Sequence, residues 1–190
     1  TVSCIGGIVP ANSVQAASLK IRYSGKTRYY KGKQLHVSYA NKNLSSKYVG
    51  IQINKVNMIP YYDYLVKQGP KVKRTYSKSS GKLILKNGDD TLTAYVGKRT
   101  YYLNGVKKTF SVAPTKVKYY KTKKTIILIP ANAIVKGLGL NYKYSSSSKR
   151  IYITQPVIPS DSTTQVQTQP SGSVQYTNYN KSLSAYVTAE

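Results

Sequence analysis

The chain has 190 residues, enough for one medium domain or two small ones with a real apolar core. Lysine and arginine number 30 against five acids (Asp63, Asp89, Asp90, Asp161 and Glu190), a formal charge of +25; such a surface repels itself and seeks polyanions. Twenty tyrosines, no tryptophan and one phenylalanine, Phe110, argue against an all-helical design and for half-buried sheet faces, because tyrosine packs its ring and keeps its hydroxyl wet.

In chain order, "TVSCIGGIVPANSVQAAS" carries no charge and opens on a short apolar run. Val14, Gln15 and Ala16 then fit small-x-small cleavage before Ala17, so residues 1–16 are expected to be the remainder of a secretory signal peptide. Cys4 would leave with it, and the mature chain would hold neither disulfides nor thiolate metal sites. Acylation of Cys4 fits less well, since Thr1 stands where a large aliphatic residue is expected. No run of about 18 apolar residues is present, so no transmembrane segment is expected.

From Ala17 to Gln155 lie 29 of the 30 basic residues and three of the five acids, so the charge belongs to this part of the chain. It reads as two similar units, 17–90 and 91–155. Pro60 and Gly69 map onto Pro130 and Gly139 at an offset of 70, and "KLIL" at 82–85 maps onto "RIYI" at 150–153 at 68. "GKTRYYKGK" maps onto "GKRTYYLNG", with Gly25, Lys26, Tyr29 and Tyr30 on Gly97, Lys98, Tyr101 and Tyr102, at 72. Three blocks in one order argue for duplication.

Each unit has one grammar. Alternating stretches such as "TLTAYVGKRTYYLNG" read as strands, with Asn104-Gly105 and Asn87-Gly88 as hairpin turns. The apolar "TIILI" ends at Pro130, expected in the first turn of a short helix carrying Ile134, Val135 and Leu138. Gly139 stops that helix by taking the left-handed conformation, and two strands follow. The expected fold is α+β: two units of mostly antiparallel strands with one short helix each, near Pro60–Gln68 and Pro130–Leu138. After Gln155, residues 156–175 are rich in Ser, Thr, Gln and Pro and read as a linker, and 176–190 as the start of a further domain.

The order "YYLNGVKKTFSVAP" followed by "TIILIPANAIVKGLGLNYKYSSSSKRIYI" resembles the copper amine oxidase N-terminal-like domain, or stalk domain, of secreted and wall-associated Gram-positive proteins. Asn104-Gly105, Ala113-Pro114, Pro130, Leu138-Gly139 and the closing hairpin carry the resemblance. It covers the second unit well and the first loosely. Where the family has an arginine shortly after the proline, this chain has Ala131, Asn132 and Ala133. The resemblance implies a non-catalytic appendage.

The residues themselves offer little for catalysis. Copper chemistry needs several imidazoles, and the chain has His36 alone, in the alternating "QLHVSYA" of a strand. "TNYN" at 177–180 echoes a quinone-forming motif without any ligand set. Asp89 and Asp90 are neighbours in a turn, not flanking carboxylates, and Asp63 falls in a first helical turn. No partner for a His36 triad and no glycine-rich phosphate loop stands out, so no cofactor and no active site are expected within 1–190.

What remains is the basic surface. "TKVKYYKTKKT" places Lys116 and Lys118 on one strand face, with Lys121, Lys123 and Lys124 following; Arg99, Lys107 and Lys108 precede them, and Lys71, Lys73 and Arg74 form a second cluster. Scattered lysines also keep sheet edges from aggregating, but a net +26 exceeds what solubility requires. The reading is a secreted, wall-associated or extracellular module that binds teichoic acid or peptidoglycan, or spaces a C-terminal partner. The alternatives are extracellular nucleic-acid binding, since interleaved lysine and tyrosine suit a single strand, and targeting of a wall hydrolase whose catalytic part lies beyond residue 190.

Overall fold

A computed structural model describes residues 18–158 of the chain. The expectations for residues 1–16, for most of the linker and for 176–190 lie outside them. Residues up to Pro156 belong to one unit, and Val157 and Ile158 to another whose remainder is outside the described range.

Short strands connected by tight turns make up most of the fold. The chain runs β1 (Leu19–Tyr23), β2 (Lys26–Tyr30), β3 (His36–Tyr39), β4 (Lys42–Asn43), β5 (Ile51–Ile53) and β6 (Val56–Pro60) into a π-helix, Tyr62–Lys67. It continues as β7 (Lys73–Ser77), β8 (Lys82–Asn87), β9 (Asp90–Tyr95), β10 (Thr100–Leu103), β11 (Val106–Thr109), β12 (Thr115–Tyr119) and β13 (Lys124–Pro130). The helix α1 (Ala131–Gly137) and the hairpin β14 (Asn141–Ser145) and β15 (Arg150–Thr154) complete it. The structure is thus mostly β, with two short helices at the expected places.

Three sheets form: β2-β1-β12-β13-β6-β5, β11-β10-β9-β8-β7 and β14-β15-β3-β4. Every neighbouring pair is antiparallel except β15 with β3. At the centre of the six-stranded sheet Met58 pairs with Pro130, Ile59 with Ile129 and Pro60 with Leu128. That register is symmetric about Ile59 and Ile129, the residues related by the offset of 70. Hairpin, helix, hairpin then follows on each side: β5–β6 and β12–β13 lead into the helices, and β7–β8 and β14–β15 lead out.

Three expectations are corrected. The sequence block at offset 72 equates β2 with β10, yet β2 is the outer strand of the six-stranded sheet and β10 lies inside the five-stranded one. The matching tyrosines reflect strand composition shared by unrelated positions. The prolines stand at the ends of β6 and β13, with Pro130 extended at φ −66°, ψ 106° as the residue before α1, because proline cannot donate to a ladder and closes a strand. The β8–β9 turn closes one residue later than read: Asn87 pairs with Asp90, leaving Gly88 (φ +57°) and Asp89 as the loop. The two halves interlock: β3–β4 share a sheet with β14–β15, and β7–β8 with β9–β11.

The alternation of the central strands sorts the core. Ile59 and Ile129 face one cluster, with Leu65, Leu83, Leu85, Ile134, Val135, Leu138, Ile151 and Ile153; Met58 and Leu128 face the other, with Ile21, Ile51, Val117 and Tyr119. The six-stranded sheet is therefore buried on both faces at its centre, each such side chain contributing about 1.5–3 kcal/mol. Of the helix residues singled out from sequence, Ile134, Val135 and Leu138 are all fully buried, whereas Ile127 on β13 is only partly so. Gly139 ends α1 at φ +75° and Gly69 ends the π-helix at φ +61°, the left-handed region that glycine enters without steric cost.

Candidate anion-binding surface

Away from its centre, the six-stranded sheet has one open face. On β1, Ile21 is buried, so Lys20 and Arg22 point the other way. On β12, Val117 and Tyr119 are buried, so Lys116 and Lys118 share that outward face. Register joins the two strands: Arg22 is the direct partner of Lys118, and the Tyr120 backbone N–H donates to the Lys20 carbonyl at 3.1 Å. On β2, Tyr29 and Thr27 stand opposite Lys20 and Arg22. The outcome is a patch of four cations and two tyrosines, with Tyr29 61 % exposed.

The rings organise the charge. Lys20 Nζ sits 4.7 Å from the Tyr120 ring centre and 5.6 Å from that of Tyr29, and Lys118 Nζ is 5.2 Å from Tyr120. Each contact contributes about 0.5–1 kcal/mol at an exposed site. The Tyr120 hydroxyl shares a hydrogen bond with Thr27 at 3.1 Å. That bond first, then Arg22 and Lys118, holds its pKa below the ordinary phenol value. Like charges directly opposite on neighbouring strands destabilise a sheet, and Arg22 beside Lys118 is such a pair. The three described acids lie elsewhere: Asp63 in the π-helix accepts from Ser46, Asp90 on β9 accepts from Asn104, and Asp89 is in the β8–β9 loop of the five-stranded sheet.

The residues singled out from sequence fall in three places. Lys116 and Lys118 belong to the patch, with Lys121 and Lys123 in the β12–β13 turn and Lys124 opening β13. Lys107 and Lys108 lie on β11 and Lys73 and Arg74 on β7, with Lys71 just before it. These strands are opposite edges of the five-stranded sheet, so Lys107 and Lys108 are not on a hairpin neighbouring β12 within one sheet. Arg74 is already engaged: its guanidinium donates to the Tyr61 hydroxyl at 3.1 Å and covers the Tyr62 ring at 4.6 Å. Arg99 donates through Nε to the Phe110 carbonyl at 2.7 Å. It meets Lys116 and Lys78 in an open groove of about 700 Å³ whose lining includes Ser79, Ser80 and Ser111 but no carboxylate.

Sequence reading missed Lys20, Arg22, Tyr29 and Tyr120 as site residues. The alternation in "LKIRY" and "KVKYY" shows which residues share a face of each strand. It carries no signal that β1 lies against β12.

The copper amine oxidase N-terminal domain family matches residues 40–153, more than half of the chain. The chain belongs to that family. No curated protein and no solved structure matches it. The family match begins after β1 and β2, so Lys20, Arg22 and Tyr29 lie outside it and Lys116, Lys118 and Tyr120 inside. Among the described residues, the copper in the family's description finds no fitting donor set. His36, the sole histidine, is exposed on β3, and its pKa is lowered by burial first and then by Arg150 and Lys149. Among the described residues no three His, Cys, Asp or Glu side chains come together.

Proposed function

We propose that this copper amine oxidase N-terminal-like domain is a non-catalytic, extracellular module that binds an anionic cell-wall polymer through the Lys20, Arg22, Lys116 and Lys118 face. The observation that carries the reading is the direct pairing of Arg22 with Lys118 in a patch to which neither Asp63 nor Asp90 is bonded. A polyanion laid across the sheet removes the like-charge cost. Lysine suits a flexible phosphodiester such as teichoic acid, because it acts as a mobile point charge with no fixed fork to satisfy. The same reading takes the fold as a duplicated hairpin–helix–hairpin unit, supported by the symmetric register about Ile59 and Ile129. It serves equally as the spacer or targeting part of a larger surface protein.

The test is sedimentation with walls carrying teichoic acid. Binding is expected near physiological ionic strength and release by 1 M salt, since the screening length falls from about 8 Å to about 3 Å. Replacing Lys20, Arg22 and Lys118 together by Gln should abolish most retention, whereas replacing Lys107 and Lys108 should change it little. Equal retention on walls stripped of teichoic acid defeats the reading. Tighter, salt-resistant binding to single-stranded DNA transfers the face to nucleic acid, with Tyr29 as the stacking platform.

A further inference from the structure

A second groove, of about 580 Å³, opens between α1, the β5–β6 hairpin and β14, and shares no residue with the basic face. Its polar floor is uncharged, made by Asn57 of β6 and by Tyr142 and Tyr144 of β14. The two tyrosines are two positions apart on one strand and project to one side. Lys55 and Lys136, both exposed, add positive charge, and no carboxylate is among the lining residues. Pro130 and Ala133 supply an apolar wall.

Hydrogen bonds on this floor run one way. Gln52 Nε2 donates to Asn57 Oδ1 at 2.8 Å, and Asn57 Nδ2 donates to the Tyr142 hydroxyl at 2.9 Å. A phenol oxygen that accepts keeps its own proton to give. Burial also pushes the Tyr142 pKa up, so that proton stays in place. The series therefore ends in a hydroxyl donor on the groove floor.

The composition selects an occupant. A bare phosphate could accept from the phenol and the lysines but would leave the apolar wall of Pro130 and Ala133 uncovered; a neutral sugar would leave the positive charge of Lys55 and Lys136 unmatched. A ring with hydroxyl edges, a C–H face and one anionic group engages all of them. The volume lies within the range of small-ligand sites. We propose that this groove binds a sugar residue carrying a carboxylate or a phosphate.

The test titrates the full chain with N-acetylmuramic acid, N-acetylglucosamine 1-phosphate and neutral N-acetylglucosamine, followed by calorimetry and amide chemical shifts. Saturable binding of either anionic sugar, with shifts at Asn57, Lys136, Tyr142 and Tyr144, is expected. Which of the two saturates identifies carboxylate or phosphate as the source. The neutral sugar should bind roughly tenfold more weakly, the effect of losing a hydrogen bond to a charged group. Equal affinity for the neutral sugar, or no saturation by either anionic one, overturns the proposal. Tyr142→Phe and the double variant Lys55→Gln with Lys136→Gln should each weaken binding several-fold, whereas changing Lys20, Arg22 and Lys118 should not. The double variant alters only exposed side chains, so it reads binding even if Tyr142→Phe disturbs folding. Loss of sugar binding on changing Lys20, Arg22 and Lys118, with the groove variants unaffected, also overturns it.

Discussion

Each helix follows a strand that ends in proline, yet the space between helix and outgoing hairpin is filled in the first half and open as a groove in the second. After Pro60 come Tyr61, Tyr62 and Asp63; after Pro130 come Ala131, Asn132 and Ala133. In the first half Tyr61 and Tyr64 are buried, and Arg74 on β7 fills the space alongside by bonding to Tyr61 and covering Tyr62. At the corresponding place on β14 the second half has Tyr142, whose hydroxyl instead accepts from Asn57. Bulky aromatics coincide with a π-helix, small residues with an α-helix. The residue on the outgoing strand decides the difference: Arg74 reaches the tyrosines of the first helix, and Tyr142 turns to Asn57 instead.

The largest expected effect breaks the packed side. Tyr64 is 1 % exposed among Leu65, Ile59 and their neighbours. Tyr64→Ala should lower unfolding free energy by about 3–5 kcal/mol, the cost of deleting a buried aromatic ring. Ile134→Val on the other helix should cost only about 0.5–1.5 kcal/mol. Urea midpoints measure both, and a Tyr64→Ala loss no larger than that of Ile134→Val would refute the tight packing of the first helix.

Next come the glycines that stop the helices. A Cβ at Gly69 would lie 2.5 Å from the Tyr64 carbonyl oxygen, and one at Gly139 would lie 2.7 Å from Asp90 Oδ2. Both positions have positive φ, so alanine is strained at either. The backbone carbonyl cannot swing aside and the carboxylate can. Gly69→Ala should therefore destabilise by about 2–3 kcal/mol and Gly139→Ala by about 1 kcal/mol. Reversal of that order in denaturant titrations would falsify the assignment of the two obstructions.

These stops were legible in the sequence because helix termination is a local matter: a glycine at the right distance from a proline suffices. The Asn104-Gly105 hairpin, the two helix sites and the buried Ile134, Val135 and Leu138 were legible for the same reason. Pairing between remote strands was not. Thr27 and Tyr120 are 93 positions apart and share a hydrogen bond, and β15 runs parallel to β3 across the whole chain. Strand register depends on which apolar faces meet in the core, and "LKIRY" would alternate equally well beside any partner. Half of the basic face stayed hidden for that reason. The groove stayed hidden because Asn57 and Tyr142 look like ordinary strand residues until the β5–β6 hairpin is brought against β14.

A smaller effect should come from transplanting the packed arrangement. Asn132→Tyr with Tyr142→Arg would import the stacked pair seen at Tyr62 and Arg74. Sugar binding should be lost by calorimetry while the chain stays folded, since Asn132 is exposed and Tyr142 only half-buried. Retained binding would mean that Tyr142 is not part of the site.

The smallest effect concerns His36 on β3. His36 faces Arg150 and Lys149, and burial together with those two cations lowers its pKa from 6.5. With the folded value below the unfolded one, the unfolded chain takes up the proton more readily. Stability from this residue is therefore complete above about pH 6.5 and is lost as pH falls through the lowered folded value. The urea midpoint should be lower at pH 5 than at pH 7.5. His36→Gln should flatten that difference without altering wall or sugar binding, because β3 contributes to neither the basic face nor the groove. A variant that keeps the full pH dependence would assign it to another group.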